Sequence, residues 1–339
     1  MRIISRIVPS SVVSFLFLLA TFARSATNNM SDQPSSKKVC ALRTVGIVGY
    51  GSLGQFLAKA IMNDPVASKE LRLVFVWNRT KEKVQADIDA GNLPAGVLLD
   101  DLQNFDKHHG GAAPDLIVEV AHSTITADYG ASFLSKSSYM VGSPTCFADR
   151  AIEESIRSQL KANLEANVEH GAFIPAGALW GANDIQKMAD RGTLQGLGVT
   201  MKFSAPALRL RGALKEKLDQ IVADGQTEEV LLFDGPIREL APMAPNNVNT
   251  IACAALAGHT VGFDKTRARL YAAAPDLHAH IVEIQVEGPG GFKVDTVRVN
   301  PAKKGAVTGN ATYNSFLSSM LAAAKRSGGG GSAGRMTFV

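Results

Sequence analysis

Residues Thr44–Gln55 read Thr-Val-Gly-Ile-Val-Gly-Tyr-Gly-Ser-Leu-Gly-Gln. Val45, Ile47 and Val48 form a short apolar run that predicts a buried strand. Gly49, Gly51 and Gly54 follow in G-x-G-x-x-G spacing, and Phe56, Leu57, Ile61 and Met62 open a helical pattern. Each glycine in such a turn has its own task. The first permits the tight turn, the second lets a pyrophosphate approach the backbone, and the third lets helix and strand pack closely. Free N–H groups at the helix start, here around Ser52 and Leu53, favour phosphate charge. The spacing alone is weak. Set between a strand and a helix, with another strand following, it predicts a dinucleotide site formed by Gly49, Gly51, Ser52, Leu53 and Gly54. The competing reading is a glycine-rich packing turn.

Working outward, Leu71–Trp77 is an apolar strand of the buried parallel type, and Lys81–Ala90 reads as a helix. Asp115–Ala121 and Tyr139–Ser143 are the next strands, with helices expected at Tyr129–Leu134 and Arg150–Leu164. Strands alternating with helices at this spacing predict an α/β fold, a Rossmann-type doubly wound parallel sheet. The pattern changes near His170. Gly196–Phe203, Glu229–Phe233 and Ile281–Glu287 alternate more strictly and lack regular helices between them, while Val248–Leu256 looks helical. This predicts an α+β substrate domain on a largely antiparallel sheet. Asn314–Ala324 reads as a terminal amphipathic helix returning to the first domain. The expected boundaries are a targeting or disordered extension (1–42), a dinucleotide domain (43–168), a substrate domain (169–297), a return segment (298–325) and a flexible Gly/Ser tail (326–339).

Composition bounds the reading. A chain of 339 residues holds about two domains. Its formal charge of +4 is small, and no basic run is interleaved with aromatics, which argues against nucleic acid as partner. Cys40, Cys146 and Cys253 are too few and too widely spaced for a disulfide framework or a zinc site. At the N-terminus, Arg2 and Arg6 precede an apolar run, Val12–Ala23, followed by Ala23-Arg24-Ser25-Ala26. That is the layout of a signal peptide and is short for a membrane span. With no acid before Asp32, a mitochondrial presequence and a working start at Met30 are further readings. Cysteine use and a nicotinamide cofactor favour the cytoplasm, with no membrane in the mature protein.

The second strand ends Trp77-Asn78-Arg79-Thr80, where a carboxylate would meet the adenosine ribose of NAD. None is present. Asn78 and Arg79 are therefore cofactor candidates, and Arg79 suits a 2′-phosphate, so the cofactor is NADP or NAD.

Five further stretches carry a resemblance. They are Glu119-Val120-Ala121-His122, His170–Ile185 with its Gly177-Ala178-Leu179-Trp180-Gly181-Ala182, Phe233-Asp234-Gly235-Pro236, Ala244-Pro245-Asn246-Asn247-Val248-Asn249-Thr250, and Asn300-Pro301. Together they resemble the L-aspartate dehydrogenase family, closest to the animal aspartate dehydrogenase domain-containing proteins. The resemblance covers residues 43–325. It implies NAD(P)-dependent oxidative deamination of L-aspartate through iminoaspartate to oxaloacetate and ammonia, by a homodimer joined through the second sheet. It places Ala121 beside the nicotinamide with His122 following, and Asn249 in the pocket. Lys202, in Thr200-Met201-Lys202, matches a family Thr-x-Lys stretch and is the expected cation for the substrate. His170 is a weaker candidate.

One departure stands out. The prokaryotic enzymes carry Asn-x-His-Glu-Ile, with the His proposed as catalytic. Matched to His280-Ile281-Val282-Glu283-Ile284, that position holds Val282, and the Asn position holds His280. Residues two apart on a strand share a face, so His280 is the expected catalytic acid–base. The substitution leaves two other readings open: an NAD(P) oxidoreductase for another amino acid, imine or oxo acid, and a non-catalytic NAD(P)-binding sensor or scaffold.

Overall fold

The computed structural model describes residues 41–303, 305–327 and 334–339. The apolar N-terminal segment, Cys40, Lys304 and the glycine-rich residues 328–333 lie outside them. Eleven strands are found among the described residues: β1 Arg43–Val48, β2 Leu71–Trp77, β3 Leu116–Glu119, β4 Ser138–Val141, β5 Ala172–Ile174, β6 Gly196–Ser204, β7 Val230–Pro236, β8 Arg267–Ala273, β9 Ala279–Glu287, β10 Lys293–Pro301 and β11 Met336–Phe338. The longer helices are α1 Ser52–Asn63, α2 Lys81–Asp89, α3 Thr124–Lys136, α4 Arg150–Glu165, α5 Ala182–Asp190, α6 Gly212–Ala223, α7 Asn249–Ala257 and α8 Asn310–Arg326.

The first sheet has the order β11-β5-β4-β3-β1-β2, and every pairing in it is parallel. Its strands are buried on both faces, which is why they read as continuous apolar runs. Alternation splits each strand between two cores. Leu116 and Val118 of β3 join Val45, Ile47 and Leu57 on one face, while Ile117 joins Phe133 and Tyr139 on the other. Because β1 connects outward to β2 while the chain returns to β3 on its other side, the carboxyl ends of β1 and β3 form the switch point where α/β folds bind ligands.

The second sheet has the order β10-β9-β6-β8-β7 and is mixed: β6 and β8 run parallel, and the other neighbours are antiparallel. Its inner face carries Val199, Met201, Phe203, Val282 and Ile284, in the same core as α7 and one face of the first sheet. Its outer face carries Lys202, Glu283, Val297 and Val299. Helix α8 crosses back, and its Phe316, Met320, Ala323 and Ala324 pack with Val45 and Leu57.

Two expectations are corrected here. The first sheet does not end at residue 168, because β5 belongs to it. Nor are the described residues of the expected tail, 326–327 and 334–339, free of the fold. Arg326 lies in α8, and Met336–Phe338 pairs in register with Ala172–Ile174 as the edge strand β11. Backbone bonds from Val339 N to Ile174 O and from Ala176 N to Val339 O extend that pairing.

Candidate active site

The glycine turn has the geometry its spacing implies. Gly49 has φ +110°, and a Cβ there would lie 2.8 Å from the Val120 carbonyl oxygen. At Gly54, a Cβ would lie 2.0 Å from the Gly49 carbonyl oxygen. By contrast, a Cβ on Gly51 would meet nothing within 4 Å. Two glycines are therefore required by the protein itself, and the third leaves a cradle open beside the start of α1. Ser52 and Leu53 complete that end of the cradle, and the first turn of α1 has no acid to oppose a phosphate. The residues present fit a dinucleotide.

Asn78, expected at the cofactor, also has a task within the fold. Its Oδ1 accepts from Tyr50 N at 3.0 Å and its Nδ2 donates to Thr80 O at 2.8 Å, so it ties the glycine turn to the end of β2. Arg79, next along, is exposed.

The turn opens into a cavity of about 560 Å³ lying between the two sheets. The first sheet contributes Val120 and Ala121 after β3, Gly142–Pro144 after β4 and Pro175–Ala178 after β5. The second contributes Met201, Phe203, His280 and Val282. Asn249 and Thr250 at the start of α7, Arg209, and the loop Ala306–Gly309 close it.

His280 is 6% exposed, and its ring lies against Phe203 at 4.6 Å. A carbonyl can only accept, so the 2.9 Å contact of Nε2 with Ala306 O fixes the proton on Nε2 and leaves Nδ1 as the basic nitrogen. Burial lowers its pKa against the weaker opposing effect of that hydrogen bond. At neutral pH it is an unprotonated base. Val282 lies on the same face of β9 and lines the same cavity.

Glu119 lies beneath the cofactor side, fully buried. Its Oε1 accepts from Ala121 N at 2.7 Å and Ser143 Oγ at 3.0 Å, and its Oε2 from Ser143 N at 2.9 Å. One carboxylate thus joins the loops after β3 and β4. Burial pushes its carboxyl up to about 7, against the pull of these donors. The fold then holds a proton between about pH 4.5 and 7 that the unfolded chain has lost, so stability falls as pH rises through that window and levels above it. At ~1.4 kcal/mol per pKa unit the fall is on the order of 3 kcal/mol. Glu119→Gln should lack it, read as urea midpoints of both proteins at pH 5 and pH 8.

Lys202 is not in the cavity. Met201 and Phe203 face it, so strand parity sends Lys202 to the outer side of β6. There its Nζ pairs with Glu229 and Glu283, both at 3.1 Å. Arg209, which sequence reasoning missed, is the cation on the cavity wall. It follows the turn after β6 and bonds only carbonyls among the described residues: Pro206 O at 2.7 Å, Leu208 O at 3.2 Å and Gly305 O at 3.4 Å. Asn247 holds that turn in place, accepting from Arg209 N at 2.7 Å and donating to Ala207 O at 3.0 Å. Ser143 was also missed, although Gly142-Ser143-Pro144 at a strand end was a visible signal. Asn249 lines the cavity and accepts a long bond, 3.5 Å, from Thr145 N. His122 contacts Thr124 Oγ1 at 3.2 Å and Arg211 Nη2 at 3.1 Å. His170 is spent on Leu134 O at 3.2 Å.

Comparison with known proteins agrees with this geometry. Residues 49–167 match the family model for the homoserine dehydrogenase NAD-binding domain, and residues 184–319 that for the aspartate dehydrogenase C-terminal domain. An aspartate dehydrogenase domain-containing protein of Danio rerio is 42% identical, over 82% of this chain and 93% of its own. An L-aspartate dehydrogenase of Methanocella arvoryzae is 29% identical, over 83% and 94%. The crystal structure of aspartate dehydrogenase from Thermotoga maritima superposes with a TM-score of 0.57 at 19% identity, covering 82% of this chain and 94% of that one, a likeness of fold. An intact glycine turn on a parallel sheet, facing a second domain of matching sequence, makes this an NAD(P)-binding oxidoreductase fold, and the chain belongs to the aspartate dehydrogenase family.

Proposed function

We propose that the chain catalyses the reversible NAD(P)-dependent oxidative deamination of L-aspartate, through iminoaspartate, to oxaloacetate and ammonia. The observation that carries this reading is the single cavity that holds both the glycine-turn cradle and the neutral imidazole of His280. When bound along Gly49–Gly54 and Ala121, NAD(P) supplies the hydride acceptor. Nδ1 of His280 takes the proton from the substrate amine and then serves the water that hydrolyses the imine. Arg209 holds a substrate carboxylate, and the amide of Asn249 donates to the same ligand set. The stoichiometry closes as L-aspartate, NAD(P)⁺ and water giving oxaloacetate, ammonium, NAD(P)H and one proton.

Steady-state turnover with L-aspartate under each cofactor, and with oxaloacetate plus ammonia in reverse, tests the proposal. Silence in both directions at high ammonia overturns it. Within it, Arg209→Ala should raise KM for aspartate roughly 10–100-fold, since a charged hydrogen bond contributes about 1.5–3 kcal/mol. Lys202→Ala, on the far side of the sheet, should leave that KM within about twofold. Val282 favours a second reading, an oxidoreductase for another amino acid, imine or oxo acid, because it lines the cavity with an apolar side chain beside His280. A substrate panel separates the two. The proposal includes a homodimer through the outer face of the second sheet, where Val297 and Val299 are 68% and 60% exposed; sedimentation velocity reads it.

A further inference from the structure

Three basic side chains meet at the carboxyl edge of the first sheet. Arg79 follows β2 and His122 follows β3, while Arg211 arrives from the opposite side of the cleft, just before α6. Arg211 Nη2 lies 3.1 Å from His122 Nε2. Arg211 can only donate, so in this contact Nε2 accepts and the ring proton sits on Nδ1, 3.2 Å from the Thr124 hydroxyl; the Thr124 N–H, also 3.2 Å from Nδ1, then has no acceptor there. After burial itself, the charges of Arg211 and then Arg79 oppose protonation of this imidazole, so both guanidiniums lie close to it.

Neither arginine has an acidic partner among the described residues. By contrast, Arg150, Arg157, Arg238 and Arg267 each meet a carboxylate within 3 Å. Two unmatched guanidiniums flanking a neutral ring repel each other until an anion enters between them. Asn78 cannot serve, because its amide is committed to Tyr50 and Thr80. The end of β2 also lacks the carboxylate that would repel a phosphate at the adenosine ribose.

We propose that Arg79 and Arg211 together hold the 2′-phosphate of NADP, with neutral His122 setting the position of the Arg211 guanidinium. This rests on the NAD(P) reading of the cleft and is independent of which substrate is oxidised. A dianionic phosphate offers each planar guanidinium a forked partner. Arg79 is supplied by the dinucleotide half of the chain. Arg211 comes from the other half, so discrimination between the cofactors is shared across the cleft, and NADP binding draws the two halves together.

The test is calorimetric titration of NADP, NAD, adenosine 2′,5′-bisphosphate and 5′-AMP into the full chain, its Arg211→Gln and Arg79→Gln variants and the double variant. Melting temperatures of the apo forms confirm that these exposed changes leave the fold intact. Arg211→Gln should weaken NADP and the bisphosphate about tenfold or more, and NAD and 5′-AMP by no more than about twofold. The double variant should bind NADP no more tightly than NAD. Equal losses for NADP and NAD would move Arg211 to the pyrophosphate and overturn the proposal. Unchanged NADP affinity in Arg211→Gln would overturn it as well. An enzyme silent toward aspartate that still shows the selective loss would keep this inference while sinking the aspartate assignment.

Discussion

Replacing His280 with alanine is expected to lower kcat for aspartate by a factor of about 10²–10⁴, the usual contribution of a positioned general acid–base. Cofactor affinity should change little, because the cradle lies on the other sheet. Burial against Phe203 disfavours the imidazolium, and the Nε2 bond to Ala306 selects one tautomer. The result is a base available at neutral pH. Since its pKa lies below the ordinary 6.5, kcat/KM of the native enzyme should fall only as pH drops below that value. That acid limb should vanish in His280→Ala. An unchanged kcat in the variant would remove His280 from the chemistry.

The second large effect separates two glycines three residues apart. Gly54→Ala would drive its methyl against the Gly49 carbonyl oxygen, 2.0 Å away in the present geometry. Backbone cannot yield as a side chain can, so the turn must open. Overpacking costs about 1–3 kcal/mol, and spread onto the cradle it should weaken cofactor binding about 10–100-fold while lowering the melting temperature of the apo protein. Gly51→Ala meets no protein atom within 4 Å. Its apo melting temperature should hold, while cofactor binding weakens because the methyl occupies space the pyrophosphate needs. Melting curves and fluorescence titrations of both variants separate the cases. A stable, tightly binding Gly54→Ala would refute the packing argument, and a tightly binding Gly51→Ala would refute the cradle.

Much of the first sheet was legible because its strands are buried on both faces. Leu71–Trp77 appears at the expected residues, and α4 runs one residue beyond the expected end. Elements decided by distant partners were not legible. β5 is three residues long and lies in a stretch rich in glycine and proline. β8 and β10 alternate, but arginine, lysine and aspartate on one face mask the signal. The site shows the same division. The glycine turn is local chemistry and could be read directly, and strand parity put His280 on the cavity side of β9. Lys202 failed by that parity, since one residue decides which face of β6 a side chain takes. Arg209 depends on a turn pinned by Asn247 from a segment 38 residues later, which no local pattern reports.

β11 has a bearing on how the protein is made. Its partner β5 lies more than 160 residues earlier in the chain. Closing so long a span comes late and slowly, after local helices and hairpins have formed. On the ribosome, the edge of β5 stays bare until Phe338 has left the exit tunnel. The Val339 carbonyl then takes the Ala176 N–H and anchors the segment that walls the cavity. The wall of the cavity is therefore completed only once residues 336–339 have emerged, and until then an unpaired strand edge waits beside it, exposed to other chains on a crowded polysome.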